Sequence, residues 1–149
     1  MAAMSEELKV LNDKVMRYLR EMDLNFEVRG DFYRLEKGST AVILHPCQWG
    51  DDKTFLKVLG IVLSKVAKGG NEAMFEEFSE INNKGIIGKI YWEASSDDPN
   101  IGAIYYEHCL LGEFLDFEEF KSALLITAFA SDELDDKLQA KYGGERYSD

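Results

Sequence analysis

The side chains in this sequence best suited to hold a soft metal or attack as nucleophiles are two histidines and two cysteines. They come in pairs: His45 with Cys47, and His108 with Cys109. On a strand, residues two apart share a face, whereas neighbours point to opposite faces. His45 and Cys47 therefore look the same way, and one of His108 and Cys109 can join them if the two strands lie side by side. Three such ligands suit an open catalytic zinc site and fall one short of a closed structural one. No CxxC or HExxH spacing accompanies them, and a buried free thiol beside a hydrogen-bonded histidine accounts for the same residues. A small metal- or thiol-dependent enzyme or redox sensor using His45, Cys47, His108 and Cys109 is therefore the alternative function and not the leading one. The carboxylate pairs Asp51-Asp52 and Asp97-Asp98 could do acid–base work. Both fall in turns, where Asp bonds local backbone. No dinucleotide-binding glycine fingerprint, P-loop or nucleophile-elbow motif is present. No catalytic residue, metal ligand or cofactor is assigned, and the chain is expected not to be an enzyme.

The chain has 149 residues, 46% of them hydrophobic, only two prolines and a formal net charge of −11. That length fits one domain able to bury a full core without a disulfide or metal staple. The charge repels phosphate backbones and anionic lipid. Trp49, Tyr91, Trp92, Tyr105 and Tyr106 could form a stacking platform, but without interleaved Arg and Lys they do not point to nucleic acid. The N-terminus lacks the basic and apolar regions of a signal peptide, and no apolar run is long enough to span a membrane. Two cysteines make no disulfide framework, so a reducing cytoplasm is expected.

The elements that must position these residues follow from patterning. Ser5 caps a helix to about Met22, with Leu8, Leu11, Val15, Tyr18, Leu19 and Met22 on one stripe. Residues 25–35 form one bent strand or a hairpin about Gly30-Asp31, and residues 40–47 form a strand apolar on both faces near its middle. Such a strand is central or covered on both sides. Residues 54–66 fit helix and strand by periodicity alone. The β-branched Val58, Ile61, Val62 and Val66, with Gly60 among them, favour a strand. A short helix carrying Phe75, Phe78 and Ile81 on one face ends at Asn82-Asn83-Lys84-Gly85. Residues 86–94 and 101–111 form a hairpin. Asp116 then caps a long helix, with Glu119 at the capping-box position and Leu115 and Phe120 closing a hydrophobic staple. It runs to about Tyr142, where Gly143-Gly144 stops it. Residues 1–144 are expected to be a single domain and 145–149 a frayed tail.

The last helix carries the strongest functional signal. Phe117, Phe120, Ala123, Leu124, Thr127, Leu134 and Leu138 make its core stripe, while Glu118, Ser122, Glu133, Asp136 and Lys137 lie on the solvated side. Leu125, Ile126 and Phe129 put apolar surface on that solvated side. Burying each is worth about 1.5–3 kcal/mol, so a cover is expected. Either another part of the chain, such as the first helix, or a second copy or partner protein could supply it. These three residues are the candidate partner or dimer interface.

Four stretches together resemble a known family. Phe75-Glu-Glu-Phe-Ser-Glu-Ile-Asn-Asn83 is similar to its helix ending in Asn before the last hairpin. Residues 101–112 and the helical 117–138 follow in the same order, and Tyr142-Gly-Gly144 resembles its usual end. The family is the YbjN-like bacterial proteins, described as sensory transduction regulators, within the fold of type III secretion chaperones. The resemblance covers most of the chain, residues 8–144, and favours a strand for 54–66. It implies a small acidic domain, often dimeric, that holds part of another protein or modulates regulation. The expected architecture is α+β in the order α-β-β-β-α-β-β-α, an antiparallel sheet of about five strands packed with three helices. The expected function is non-enzymatic: a chaperone-like or regulatory homodimer that docks a segment of a partner protein.

Overall fold

Ser5 accepts the Leu8 N–H at 3.1 Å and opens α1 (Glu6–Glu21), whose stripe buries Leu11, Val15, Tyr18 and Leu19. The computed structural model describes residues 4–149. After α1 come β1 (Glu27–Arg29), β2 (Phe32–Lys37), β3 (Thr40–Trp49) and β4 (Lys53–Ala67). Then follow α2 (Ala73–Lys84), β5 (Lys89–Ala94), β6 (Ile101–Leu111) and α3 (Phe117–Tyr142). The strands form one antiparallel sheet in the order β1-β2-β3-β4-β6-β5.

The sheet has six strands where about five were expected, because residues 25–35 resolve into a true hairpin. Arg29 pairs with Phe32 across Gly30-Asp31, and Gly30 takes φ 61°. That left-handed first turn position needs glycine and matches the twist of the flanking strands. Residues 54–66 are strand throughout. β4 bends through register shifts between Ile61 and Leu63 and between Leu63 and Val66, which spreads its apolar residues over two parts of the core. In the last hairpin the first strand starts at Lys89 instead of Ile86. Gly88 turns the chain at φ 78°, where the Tyr106 ring lies too close for any Cβ, and the Tyr106 hydroxyl donates to the Ile87 carbonyl. Ile86 is left 98% exposed.

All three helices pack on one face of the sheet. One core cluster joins α1 (Leu11, Val15, Leu19) to Leu44, Leu56, Val58 and the first half of α3, including Phe120 and Leu124. A second joins α2 (Met74, Phe78) to Leu63, Ile90, Ile104 and Leu138 near the end of α3. Phe75, expected on the buried face of α2, is exposed at the sheet edge, with its ring edge-on to Trp92 at 6.2 Å. β3 is central, yet covered on one side only: Val42 and Leu44 are buried under the helices, while Ile43, His45 and Cys47 stay half-exposed on the other face. Asn82 seals part of the β5 edge. Its amide donates to the Ile90 carbonyl at 3.0 Å and accepts the Ile90 N–H at 2.8 Å, so one outward backbone pair of the edge strand is already occupied.

α3 crosses the sheet between the two clusters on small and polar residues. Asp116 caps it, accepting the Glu119 N–H at 2.8 Å, and Leu115 and Phe120 are both buried in the first cluster. Thr127, Ser131 and Asp135 are fully buried along its inner face. Phe117 and Leu134, expected in the core stripe, are only half-buried. Ser39, in the β2–β3 turn, touches two carboxylates: its hydroxyl lies 2.8 Å from Asp132 Oδ1 and in hydrogen-bond contact with Asp135 Oδ2. A hydroxyl has one proton to give. The contacts close when Asp135 keeps its own proton and donates to Ser39, which donates to Asp132. Burial pushes the Asp135 carboxyl up from its ordinary value, and the Ser39 hydroxyl and N–H hold Asp132 down.

The signs are opposite for the two acids. Asp135, raised in the fold, favours folding below its unfolded value of about 3.9, and that contribution is lost as pH rises through its folded value. Asp132, lowered in the fold, contributes stability above about 3.9 that is lost as pH falls through its folded value. Asp135→Asn is expected to gain stability relative to the wild type as pH rises above about 4. Urea midpoints across pH 4–8 measure this, and a constant gap would mean that Asp135 ionises as an ordinary carboxyl.

Residues 145–149, expected to fray, are held to the sheet and α3. Ser64 and Glu145 exchange backbone hydrogen bonds at 2.8 Å each way, and Arg146 pairs with Asp136 at 2.8 Å and Asp149 at 3.0 Å.

Candidate docking surface

The four histidine and cysteine side chains do not converge. His45 pairs with Lys57, and Lys57 with Cys109, so His45 and Cys109 sit on the same face with β4 between them. Two strand spacings put their backbones about 9.6 Å apart, with the Lys57 side chain on the strand between them. His108 pairs with Val58 and points to the helical face instead. The Cys47 thiol donates to the His45 carbonyl at 3.4 Å, and His45 lies 3.6 Å from the Asp31 carboxylate. Burial pushes both thiols up and the His108 imidazole down, so thiolate and imidazolium are disfavoured. Among the described residues, no group of three or more His, Cys, Asp or Glu side chains could hold a metal ion.

The α3 residues lie on the surface, uncovered by their own subunit: Leu125 is 42% exposed, Ile126 37% and Phe129 70%. The first helix does not cover them. It meets α3 farther back, where Tyr18 stacks against Phe117 and Phe120 at 5.6 and 5.4 Å. The three side chains straddle the crest of α3. Leu125 leans into a small cleft beside Leu24, Leu35 and Val42. Ile126 forms one wall of a wider groove of about 370 Å³ on the other side, facing Ile87. Leu110 and Ala123 line this groove, and His108 reaches it from β6. Glu118 and Glu119 stand at its rim. Sequence patterning locates the crest, because three apolar residues interrupt a solvated stripe. The Ile87 wall was missed: residues 86 and 87 were assigned to a strand, where an apolar pair attracts no notice. The glycines on both sides, Gly85 and Gly88, were the available signal.

A second apolar surface is the helix-free face of the sheet. Phe55, Leu59, Ile61, Tyr91 and Tyr105 are half-buried there, with the Tyr91 and Tyr105 rings 5.6 Å apart. Burial and neighbouring acids push the Tyr91 phenol far above its ordinary value, so it stays a neutral hydroxyl. Two charge clusters of this face are closed locally, while Glu93 and Lys53 have no ion-pair partner among the described residues. Glu107 receives Lys57 at 3.3 Å and Lys89 at 3.0 Å, while Arg34 sits between Glu27 at 2.9 Å and Glu36 at 3.6 Å. No helix among the described residues is long and apolar enough to cross a membrane.

Three helices thus cover one face of an antiparallel sheet, and an apolar groove runs beside α3. The chain belongs to the family described as T3SS (YopN, CesT) and YbjN peptide-binding chaperone 1, whose model matches residues 6–149. Its fold is similar to the crystal structure of YbjN from E. coli, with a TM-score of 0.62 at 12% identity, covering 85% of this chain and 92% of that one. It is also similar to a chain of the HopA1–SchA chaperone–effector complex, with a TM-score of 0.57 at 12% identity, covering 88% of this chain and 99% of that one. No curated protein matches the sequence. At such identity these structures establish a common fold, the type III secretion chaperone fold.

Proposed function

We propose that this protein is a non-enzymatic chaperone-like or regulatory module that works as a homodimer and docks a segment of a partner protein through the α3 crest and its flanking groove. The observation that carries the reading is the exposed Leu125, Ile126 and Phe129 beside the Ile87–Ile126 groove, in a member of a peptide-binding family. Contiguous apolar surface of this kind is kept wet only at a cost in solubility, which docking offsets. The helix-free sheet face suits the second copy better than α3 does. Glu107 and Arg34 there are already held in local pairs, so two copies can face one another with less opposition between like charges. Two α3 crests would bring acidic residues together on a chain already at −11.

An array of overlapping peptides from apolar and amphipathic protein segments tests the docking. A subset should bind at micromolar affinity and compete with one another, whereas an array with no binder would overturn the reading. Sedimentation tests the homodimer separately. The expected mass at tens of micromolar is twice the monomer, and a monomer throughout would remove the dimer while leaving single-copy docking intact.

A further inference from the structure

We infer that the groove between α3 and the Ile86-Ile87 loop selects a cationic amphipathic segment, with apolar anchors flanked by Lys or Arg. The inference rests on the docking role proposed above and names the chemistry of its partner. The groove walls are apolar, Ile87 facing Ile126 above Leu110 and Ala123, so the anchors must be apolar. The rim is acidic. On the exposed side of α3, Glu118 and Glu119 precede the apolar crest, and Asp132, Glu133 and Asp136 follow it.

Two of these acids are already engaged: Asp132 accepts from Ser39, and Asp136 pairs with Arg146. Glu118, Glu119 and Glu133 have no ion-pair partner among the described residues, and neither Lys121 nor Lys137 on the same face pairs with them. Unpaired carboxylates therefore bracket the apolar crest along the helix. A segment with basic flanks satisfies both features at once, whereas an acidic-flanked one meets repulsion from the rim and from the net charge of −11. The apolar anchors supply most of the binding free energy, and the rim, which stays solvated, supplies discrimination and association rate.

Three synthetic peptides of equal length, read by fluorescence anisotropy, test this. The first carries three leucines flanked by lysines, the second the same leucines flanked by glutamates, and the third the lysines with the leucines replaced by serine. The first is expected to bind about tenfold or more tighter than either of the others at low salt, with the margin over the second shrinking at high salt. Glu118→Gln with Glu119→Gln should weaken the first peptide about three- to tenfold at low salt and leave the protein folded, with a modest fall in the unfolding midpoint because both carboxylates sit in the first turn of α3. Ile126→Asp should weaken it at all salt concentrations. Equal binding of the first two peptides would overturn the charge selection while leaving docking standing. Equal binding of the first and third would show attraction to the net charge alone and overturn the groove as the site. Failure of all three, with binders still found on the peptide array, would also overturn this groove. Failure of both sets would take the docking reading with it.

Discussion

Gly60→Ala is expected to destabilise the protein by about 2–3 kcal/mol, lowering the urea midpoint with little change in slope. A Cβ built on Gly60 would lie 1.9 Å from Ser131 Oγ, 3.0 Å from Ser131 Cβ and 3.3 Å from Thr127 Cγ2. These contacts come from the inner face of α3, which cannot yield locally. Phe120 and Leu124 anchor the helix in one cluster and Leu138 in the other, so relief at Gly60 requires lifting the helix from both. A second substitution separates steric crowding from a loss of strand flexibility. Ser131→Ala alone should be nearly neutral, because it removes a buried hydroxyl that has no hydrogen-bond partner. In the double variant it should recover part of the loss, since the 1.9 Å contact disappears and the 3.0 Å contact remains. Equal losses in the single and double variants would show that α3 does not set the spacing at Gly60.

That contact explains why β4 was hard to assign. Gly60 reads in sequence as an interruption that weakens helix and strand alike. Its role is set by residues about seventy positions later, which no local pattern contains. The β-branched neighbours still favoured the strand, as did the family likeness, and the strand formed. Elsewhere, features with local causes were legible: the Ser5 and Asp116 caps, the α1 stripe, and the end of α3 at Gly143. The extra strand depended on a two-residue turn, in which the positive φ of Gly30 separates a hairpin from a bend. Ser131 and Asp135 were not legible as core residues, because their burial is a consequence of α3 crossing the sheet closely and of Ser39 arriving from the β2–β3 turn.

The candidate site divides the same way. The crest on α3 is visible at helical spacing within a single element. The groove beside it needs Ile87 from the α2–β5 loop and Leu110 and His108 from β6, brought together by a sheet order in which β6 lies inside β5. The histidine and cysteine pairs illustrate the converse. Their spacing placed His45 and Cys47 on one face correctly, but the intervening β4 was decided by topology. With Lys57 standing between His45 and Cys109, the side chains meet charged and apolar neighbours before they meet each other.

Two phenylalanines on the same helix should respond in opposite ways. Phe120 is fully buried, stacked with Tyr18 and central to the first cluster. Phe120→Ala is expected to cost about 3–5 kcal/mol and to lower every activity by unfolding. Phe129 is 70% exposed at the crest. Phe129→Asp removes no core contact and places a carboxylate where the helix already faces water, so stability should move by no more than about 0.5 kcal/mol. If the crest anchors a partner, binding of an array-selected peptide should fall about thirtyfold or more, the loss typical of an aromatic hot spot. Unfolding curves and peptide titrations on the two variants together decide the matter. Lost binding with an intact fold in Phe129→Asp locates docking on α3. Retained binding would move the partner to the helix-free sheet face, where Leu59 and Ile61 remain uncovered. A large stability loss in Phe129→Asp would mean instead that the crest is held by a second copy of the chain, and the loss should then diminish as the protein is diluted below its dimerisation constant.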